Sequence, residues 1–453
     1  MKFIPCVLAS LLIGCSAASE DIEPAGNGFI LQNVNVVDVA NRSILSSKTI
    51  RVENGKITSI TDVDVSDRLA DLPVIEGKGG YVTPGLIDMH VHMYERAAYV
   101  MTLSHGVTHV RIMNGVPKQL EWRDKVNAGE MIGSSSTVSS PIISGYKGAY
   151  LHHGVETAEE AREAVRQYHG EGYDLIKLYG NLSEEALKGA VAEGKRLDMP
   201  MAKHGPHASG EMPVGELKGL QSFEHAEDIY QGPLNYKFEP DRLPGIIAEL
   251  KATEVPLTPT LNIFYQLTKL SEEKEAFLEQ TPKHYTSYII ALEAKKNQVD
   301  RWLTASDRMV AHNKKTLAFL QLITKQAHEG GIPLLVGSDS GVLLSPHGLA
   351  THTEMRLMKE AGLDSYEVLA AATINSAKAL GMENQIGQVV AGYNADFIYT
   401  ASNPADDLSV LVEPAAVAKA GHWYTREKLD QLRVDAIKNR SFWEEVGVLF
   451  GAM

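Results

Sequence analysis

Cysteine is nearly absent. Cys6 and Cys15 are the only two in 453 residues, and both lie ahead of the first strand-like segment. That excludes a disulfide-stapled fold and a thiolate metal centre, so any metal site must use His, carboxylate or a less usual donor. An excess of basic charge is also missing. Lys and Arg total 43 against 57 Asp and Glu, a formal net charge of -14. Nucleic acid and anionic lipid headgroups are therefore excluded as main partners, because phosphate binding relies on clustered cations. No apolar run is long enough to span a bilayer as a helix, and no short repeat or low-complexity tract is evident. What is there has the apolar and glycine content of an ordinary globular protein. The length calls for two domains or one decorated large barrel.

The N-terminus reads differently from the rest. Lys2 precedes the apolar stretch FIPCVLASLLIG, whose length and basic flank fit a secretory signal. Leu12-Ile13-Gly14-Cys15 resembles the lipobox of bacterial lipoproteins, which implies that Cys15 is lipidated and becomes the mature terminus. Cleavage after Ser16-Ala17-Ala18 is the rival reading. Residues 1–14 are read as the signal and 15–28 as a tether. The expected location is the bacterial envelope, lipid-anchored in the outer membrane and facing periplasm or surface.

From Phe29 to about Gly80, short alternating apolar runs are separated by polar turns containing Asn-Gly or Gly, a pattern of antiparallel strands. It returns in GQVVAGYNADFIYTASNP and AAVAKAGHWYT. Between these ends, eight strand-like runs alternate with helix-period sequence: YVTPGLIDMHVH, GVTHVRIMN, STVSSPIIS, DLIKLYG, MPMAKHG, SFEHAE, VPLTPTLN and PLLVGSDS. The predicted fold class is α/β. A (β/α)8 TIM barrel covers 82–384, and a small β-sandwich is formed by 29–81 with 385–430. Residues 431–453 form a helical tail. The interval at about 265–330 is overlong and predicts two or three extra helices walling the barrel mouth.

Six side chains near the ends of these strands carry the chemistry: His90, His92, Lys177, His204, His225 and Asp339. Residues i and i+2 of a strand face the same way, so His90 and His92 can hold one metal, and Pro84-Gly85 places them at the end of the strand where barrel chemistry occurs. Asp88 reads as a supporting partner. Burial disfavours a lysine's charge, and a neutral Lys177 amine can take up carbon dioxide. The resulting carbamate could bridge two divalent ions, the second held by His204 and His225. Asp339 can ligate the first ion and accept a proton from hydroxide.

This set, with PGLIDMHVH, the strand-end lysine and GSD, resembles the amidohydrolase superfamily in its binuclear carboxylated-lysine form. GLATHTEMRLMKEAGLDSYEVLAAATINSAKALG and IGQVVAGYNADFIYT are similar to its imidazolonepropionase-like and Xaa-Pro dipeptidase-like members. The resemblance implies two Zn2+ ions, a carbamate on Lys177 and catalytic roles for Lys177 and Asp339. The implied reaction is hydrolysis of an amide C–N bond in a small-molecule substrate such as a dipeptide or N-acyl amino acid. Two departures bear on substrate contacts. The fifth strand carries His204-Gly205-Pro206-His207 where relatives have His-Ala-His, which brings in His207. The third loop, GYKGAYLHHGVET, offers His152 or His153 in place of the relatives' glycine-histidine pattern. Tyr179 shares a face with Lys177 and could polarise the scissile carbonyl. His105, His109, His284, His312, His328 and His422 read as structural. A lactonase or phosphotriesterase on the same site, a mononuclear deaminase and a non-catalytic binding lipoprotein remain as alternatives. Homo-oligomer formation is left open.

Overall fold

The protein is described by a computed structural model covering residues 28–62, 72–149, 151–204 and 218–451. The signal segment, Cys15 and His207 lie outside the described residues.

The two ends of the chain meet in one eight-stranded sheet. Gly28–Asp38, Ser43–Glu53, Lys56–Asp62, Val74–Glu76 and Tyr81–Pro84 come from the N-terminal side, and Phe397–Thr400, Ala416–Lys419 and His422–Thr425 from the C-terminal side. The seam is the antiparallel pairing of Tyr81–Pro84 with Phe397–Thr400. Asn54 and Gly55 have φ of 50° and 77°. Left-handed geometry at both central residues suits a two-residue hairpin, which is why Asn-Gly sits there. The sheet also curls over. Phe29, on the long first strand, lies 5.5 Å from Trp423, on the last one. Four strand steps separate them in the sheet order, which would be roughly 19 Å if the sheet lay flat. The curl encloses a core of Phe29, Val36, Ile50, Phe397 and Trp423.

Sheet and barrel divide at Gly85. Tyr81–Pro84 belongs to the sheet, so the expected run YVTPGLIDMHVH is two strands and not one. A Cβ at Gly85 would stand 2.2 Å from Thr108 Oγ1, so only glycine lets the chain pass this close to the next strand.

The barrel strands are Leu86–Val91, Val107–Ile112, Ser135–Val138, Ile176–Leu178, Met201–His204, Ser222–Glu224, Leu257–Thr258 and the stretch 334–340. All eight fall where the sequence places them. The last closes the ring: Met89 N donates to Val336 O, Asp339 N to His90 O and His92 N to Ser340 O, each at 2.8 Å. An additional parallel pair, Ile142–Ser144 with His152–Gly154, forms part of the third loop. The helix Ala158–Gly170 shows how the local sequence works. Thr157 caps it and Glu160 reaches back to the cap, while Ala161, Ala164, Val165 and Tyr168 make the buried stripe.

The long interval holds the helices Leu261–Glu273, Glu275–Gln280 and Tyr288–Ala294, a π-helical turn Lys295–Val299, and the helices Asp300–Leu303 and Asp307–Glu329. It reaches two barrel loops. Ser287 N donates to Glu95 Oε1 at 2.9 Å, and Leu343 N donates to Gln298 Oε1 at 2.8 Å. Glu95 follows the first barrel strand and Leu343 follows the eighth, so these helices stand at the mouth.

Candidate metal centre and active site

His90, His225 and Asp339 each bring one ligand atom to a common point, the three atoms lying within 4.8 Å of one another. All three residues are buried. They arrive from the first, sixth and eighth strands, at the end of the barrel where the strands terminate. Two of them are held in unusual backbone conformations: His225 has φ 71° and Asp339 φ 52°. Left-handed geometry outside glycine costs of order 1–3 kcal/mol and persists only where the surroundings enforce it. Here the ladder does so, through His225 N to Thr258 O and Asp339 N to His90 O, both 2.8 Å.

The remaining predicted residues are arranged around this point. His92 Nε2 is 2.9 Å from Asp339 Oδ1 and His90 Nε2 is 3.7 Å from the same oxygen. The His204 ring lies 4.3 Å from that of His225, and its Nε2 is 3.1 Å from Asp228 Oδ1. Tyr179 lies over His204 at 4.2 Å, and His152 lies against Tyr179 at 5.4 Å. His153 points elsewhere, with Nδ1 2.7 Å from the Tyr168 hydroxyl on the helix Ala158–Gly170. Adjacent strand residues face opposite ways, so only one of the His152-His153 pair can look inward. Lys177 is 1 % exposed, and its Nζ has no hydrogen-bond partner among the described residues.

Hydrogen bonds settle which imidazole nitrogens face the centre. His90 Nδ1 is 2.7 Å from Glu224 Oε2. Burial alone would raise the Glu224 carboxyl, yet Arg111 and His90 beside it hold it well below the usual range. An ionised Glu224 only accepts, so His90 donates through Nδ1 and presents the lone pair of Nε2. His225 Nδ1 is 2.6 Å from Thr260 Oγ1, and that hydroxyl donates to Pro259 O at 2.8 Å. Its single hydrogen being used, Thr260 accepts from His225, and Nε2 is again the free nitrogen. Both rings are neutral. Burial and the charge of Lys177 push His90 down to about 4, and burial with neighbouring histidines holds His225 well below the ordinary imidazole value.

The acids and the lysine are tuned in matching ways. Burial alone would raise Asp339, but the histidines around it hold it well below the ordinary carboxylate range. Burial pushes Lys177 down to about 8. Glu227 at the rim is pushed up to about 8 by burial and the nearby Asp228 and Asp339. Asp88 is not a ligand. Its Oδ1 accepts from Ser338 N at 2.9 Å and its Oδ2 from the Thr351 hydroxyl at 2.6 Å. It ties the first strand to the eighth.

Sequence reasoning passed over Glu224 and Arg111. Arg111 Nη2 donates to Glu224 Oε1 at 2.6 Å, and Nε to Met89 O at 2.8 Å. Its other nitrogen donates to Gln221 and Ser222, each at 2.8 Å. The available signal was a lone arginine inside the apolar strand run GVTHVRIMN, since a fully buried charge requires a partner.

Four histidines, one deeply ionised carboxylate and an amine without a hydrogen-bond partner among the described residues gather at the mouth of a (β/α)8 barrel, and the His90, His225 and Asp339 group could hold a metal ion. The comparisons agree on the family. The amidohydrolase family profile matches residues 81–423, and the chain belongs to that family, hydrolases acting on amide carbon–nitrogen bonds. The imidazolonepropionase of Geobacillus kaustophilus is 25% identical over 403 residues, covering 80% of this chain and 85% of that one. Among solved structures, bottromycin amidohydrolase superposes with a TM-score of 0.73 at 22% identity, covering 90% of each chain. A Xaa-Pro dipeptidase with methionine bound in its active site superposes with a TM-score of 0.67 at 20% identity, covering 88% of this chain and 99% of that one.

Proposed function

We propose that this chain is a binuclear metallo-amidohydrolase that cleaves the amide bond of a dipeptide or N-acyl amino acid. The observation that carries the reading is Lys177. A buried amine without a hydrogen bond, tuned down to about 8 and surrounded by metal-ligand side chains, is suited to exist as a carbamate. The donor set fits divalent ions with nitrogen and oxygen preference, zinc foremost. His90, His92 and Asp339 would hold one ion, His204 and His225 the other, and carboxylated Lys177 both. Ions bound there supply Lewis acidity toward the substrate carbonyl and toward water.

The rest is done by the chain. Asp339, ionised and buried, takes the proton of the attacking water at its carboxylate and returns it to the leaving nitrogen. Tyr179, over His204, donates its hydroxyl hydrogen to the carbonyl oxygen as negative charge develops there. His152, against Tyr179, lines the substrate side. The names of the similar dipeptidase and amidohydrolase support an amide over a lactone or phosphoester.

A mononuclear centre is the second reading. It is favoured by the grouping of His90, His225 and Asp339, which takes one histidine from each half of the expected binuclear set. Metal-replete protein assayed against dipeptides, N-acyl amino acids, lactones and phosphoesters tests the proposal. Turnover confined to amides supports it, and turnover confined to the other two classes contradicts it.

A further inference from the structure

Away from the proposed metal centre, a cavity of about 340 Å3 opens between the helices Arg96–Ser104, Arg426–Lys438 and Phe442–Gly451, with Trp122 of the helix Pro117–Asn127 at its wall. That is within the roughly 300–1,000 Å3 range of small-molecule pockets. None of the six proposed metal-ligand residues lines it. Val100, Trp122, Met131 and Ile132 provide an apolar wall. The charges on its walls do not balance. Arg440 is taken by Glu95 at 2.6 Å and Arg96 by Glu444 at 2.9 Å. Glu130, Asp435 and Glu445 then remain with no cation among the lining residues.

Glu445 is the informative one. It is 8 % exposed, yet its carboxylate makes no hydrogen bond or ion pair among the described residues. It is one of the residues that line the cavity. It also lies near enough to Glu95 to add to the rise that burial imposes on that carboxyl. A buried carboxylate is costly unless a cation or donors meet it.

We infer that this cavity binds a primary organic ammonium with a short apolar body, the ammonium pairing with Glu445 and the apolar part lying against Trp122 and Val100. The proposal is independent of the metal reading, because no residue of the cavity belongs to the metal centre.

Isothermal titration calorimetry of the full chain with n-butylammonium chloride tests it, with 1-butanol as the uncharged control and with metal-replete and chelated protein compared. One saturable equivalent of butylammonium is expected in both metal states, with butanol binding at least tenfold more weakly. Glu445→Gln should lose at least tenfold in affinity while melting at or above the wild-type temperature. Ala436→Leu narrows the cavity without changing charge and should weaken binding as well; it decides the matter should Glu445→Gln not fold. Absence of saturable binding overturns the proposal, as does equal affinity for butanol or wild-type affinity in a folded Glu445→Gln or Ala436→Leu variant.

Discussion

His90 and Glu224 are joined through the barrel interior, Nδ1 to Oε2 at 2.7 Å, and the second oxygen of that carboxylate is held by Arg111 at 2.6 Å. A candidate ligand from the first strand is thereby oriented by an acid from the sixth and a base from the second. Removing Glu224 leaves Arg111 charged and buried. Glu224→Ala should lower stability by about 3–5 kcal/mol in urea denaturation of the metal-free protein. Arg111→Met combined with Glu224→Leu should recover most of that loss. Metal affinity of Glu224→Ala, read by competition with a chelating dye, should fall by roughly 10–100-fold. A wild-type urea midpoint would show that the network is not what holds this part of the barrel.

Lys177 gives a pH prediction for the metal-free protein. Its folded-state pKa of about 8 lies below the ordinary 10.5, so the unfolded chain binds the proton more tightly. The charged lysine therefore destabilises the fold fully below pH 8, and the penalty is relieved as pH rises from 8 to 10.5. Lys177→Met should stabilise metal-free protein at pH 7 by on the order of 3 kcal/mol. The gain should shrink toward zero by about pH 10.5. A gain independent of pH would point to packing alone.

Asp339→Asn keeps shape and removes the proton acceptor. The fall in kcat should be about 10²–10⁴-fold, with KM little changed. Near-native kcat in metal-replete Asp339→Asn would assign proton transfer to another group, Glu227 being next at hand.

The curl of the terminal sheet rests on Phe29, packed against Phe397 at 6.2 Å and Trp423 at 5.5 Å. Phe29→Ala should cost about 3–5 kcal/mol in guanidinium unfolding. A cost below about 1 kcal/mol would fit a site that collapses easily around the lost ring.

We propose that Cys15 is lipidated, in which case Cys15→Ser should move the chain from the membrane fraction to the soluble fraction and abolish labelling by a fatty-acid probe. Unchanged fractionation would favour cleavage after Ala18.

Much of the barrel was legible because each strand is an apolar run followed by a helix-period interval, and the local signals agree with the ring they build. The strand-end histidines and Asp339 were legible for the same reason. How the ligand atoms group was not. Sequence order tells which strand a residue ends, whereas the ring sets strand eight beside strand one and turns the end of strand six toward them across the interior, so His225 joins His90 and Asp339. The Arg111–Glu224 pair spans the interior between strands two and six, a distance along the chain over which no local pattern operates. The break at Gly85 depends on the approach of Thr108, and the curl of the sheet on rings from opposite ends of the chain. These are tertiary facts, and they appear only once the chain is folded.

We propose that Lys177, as a carbamate, joins two metal ions. Metal content per chain, measured by plasma emission on protein loaded in the presence of 13C-bicarbonate, with the label read by carbon NMR, tests this most directly. Two divalent ions per chain and one labelled carbamate are predicted for the wild type, with no label and at most one ion in Lys177→Ala. One ion per chain and no carbamate signal in the wild type would contradict it and favour the single-metal centre of His90, His225 and Asp339.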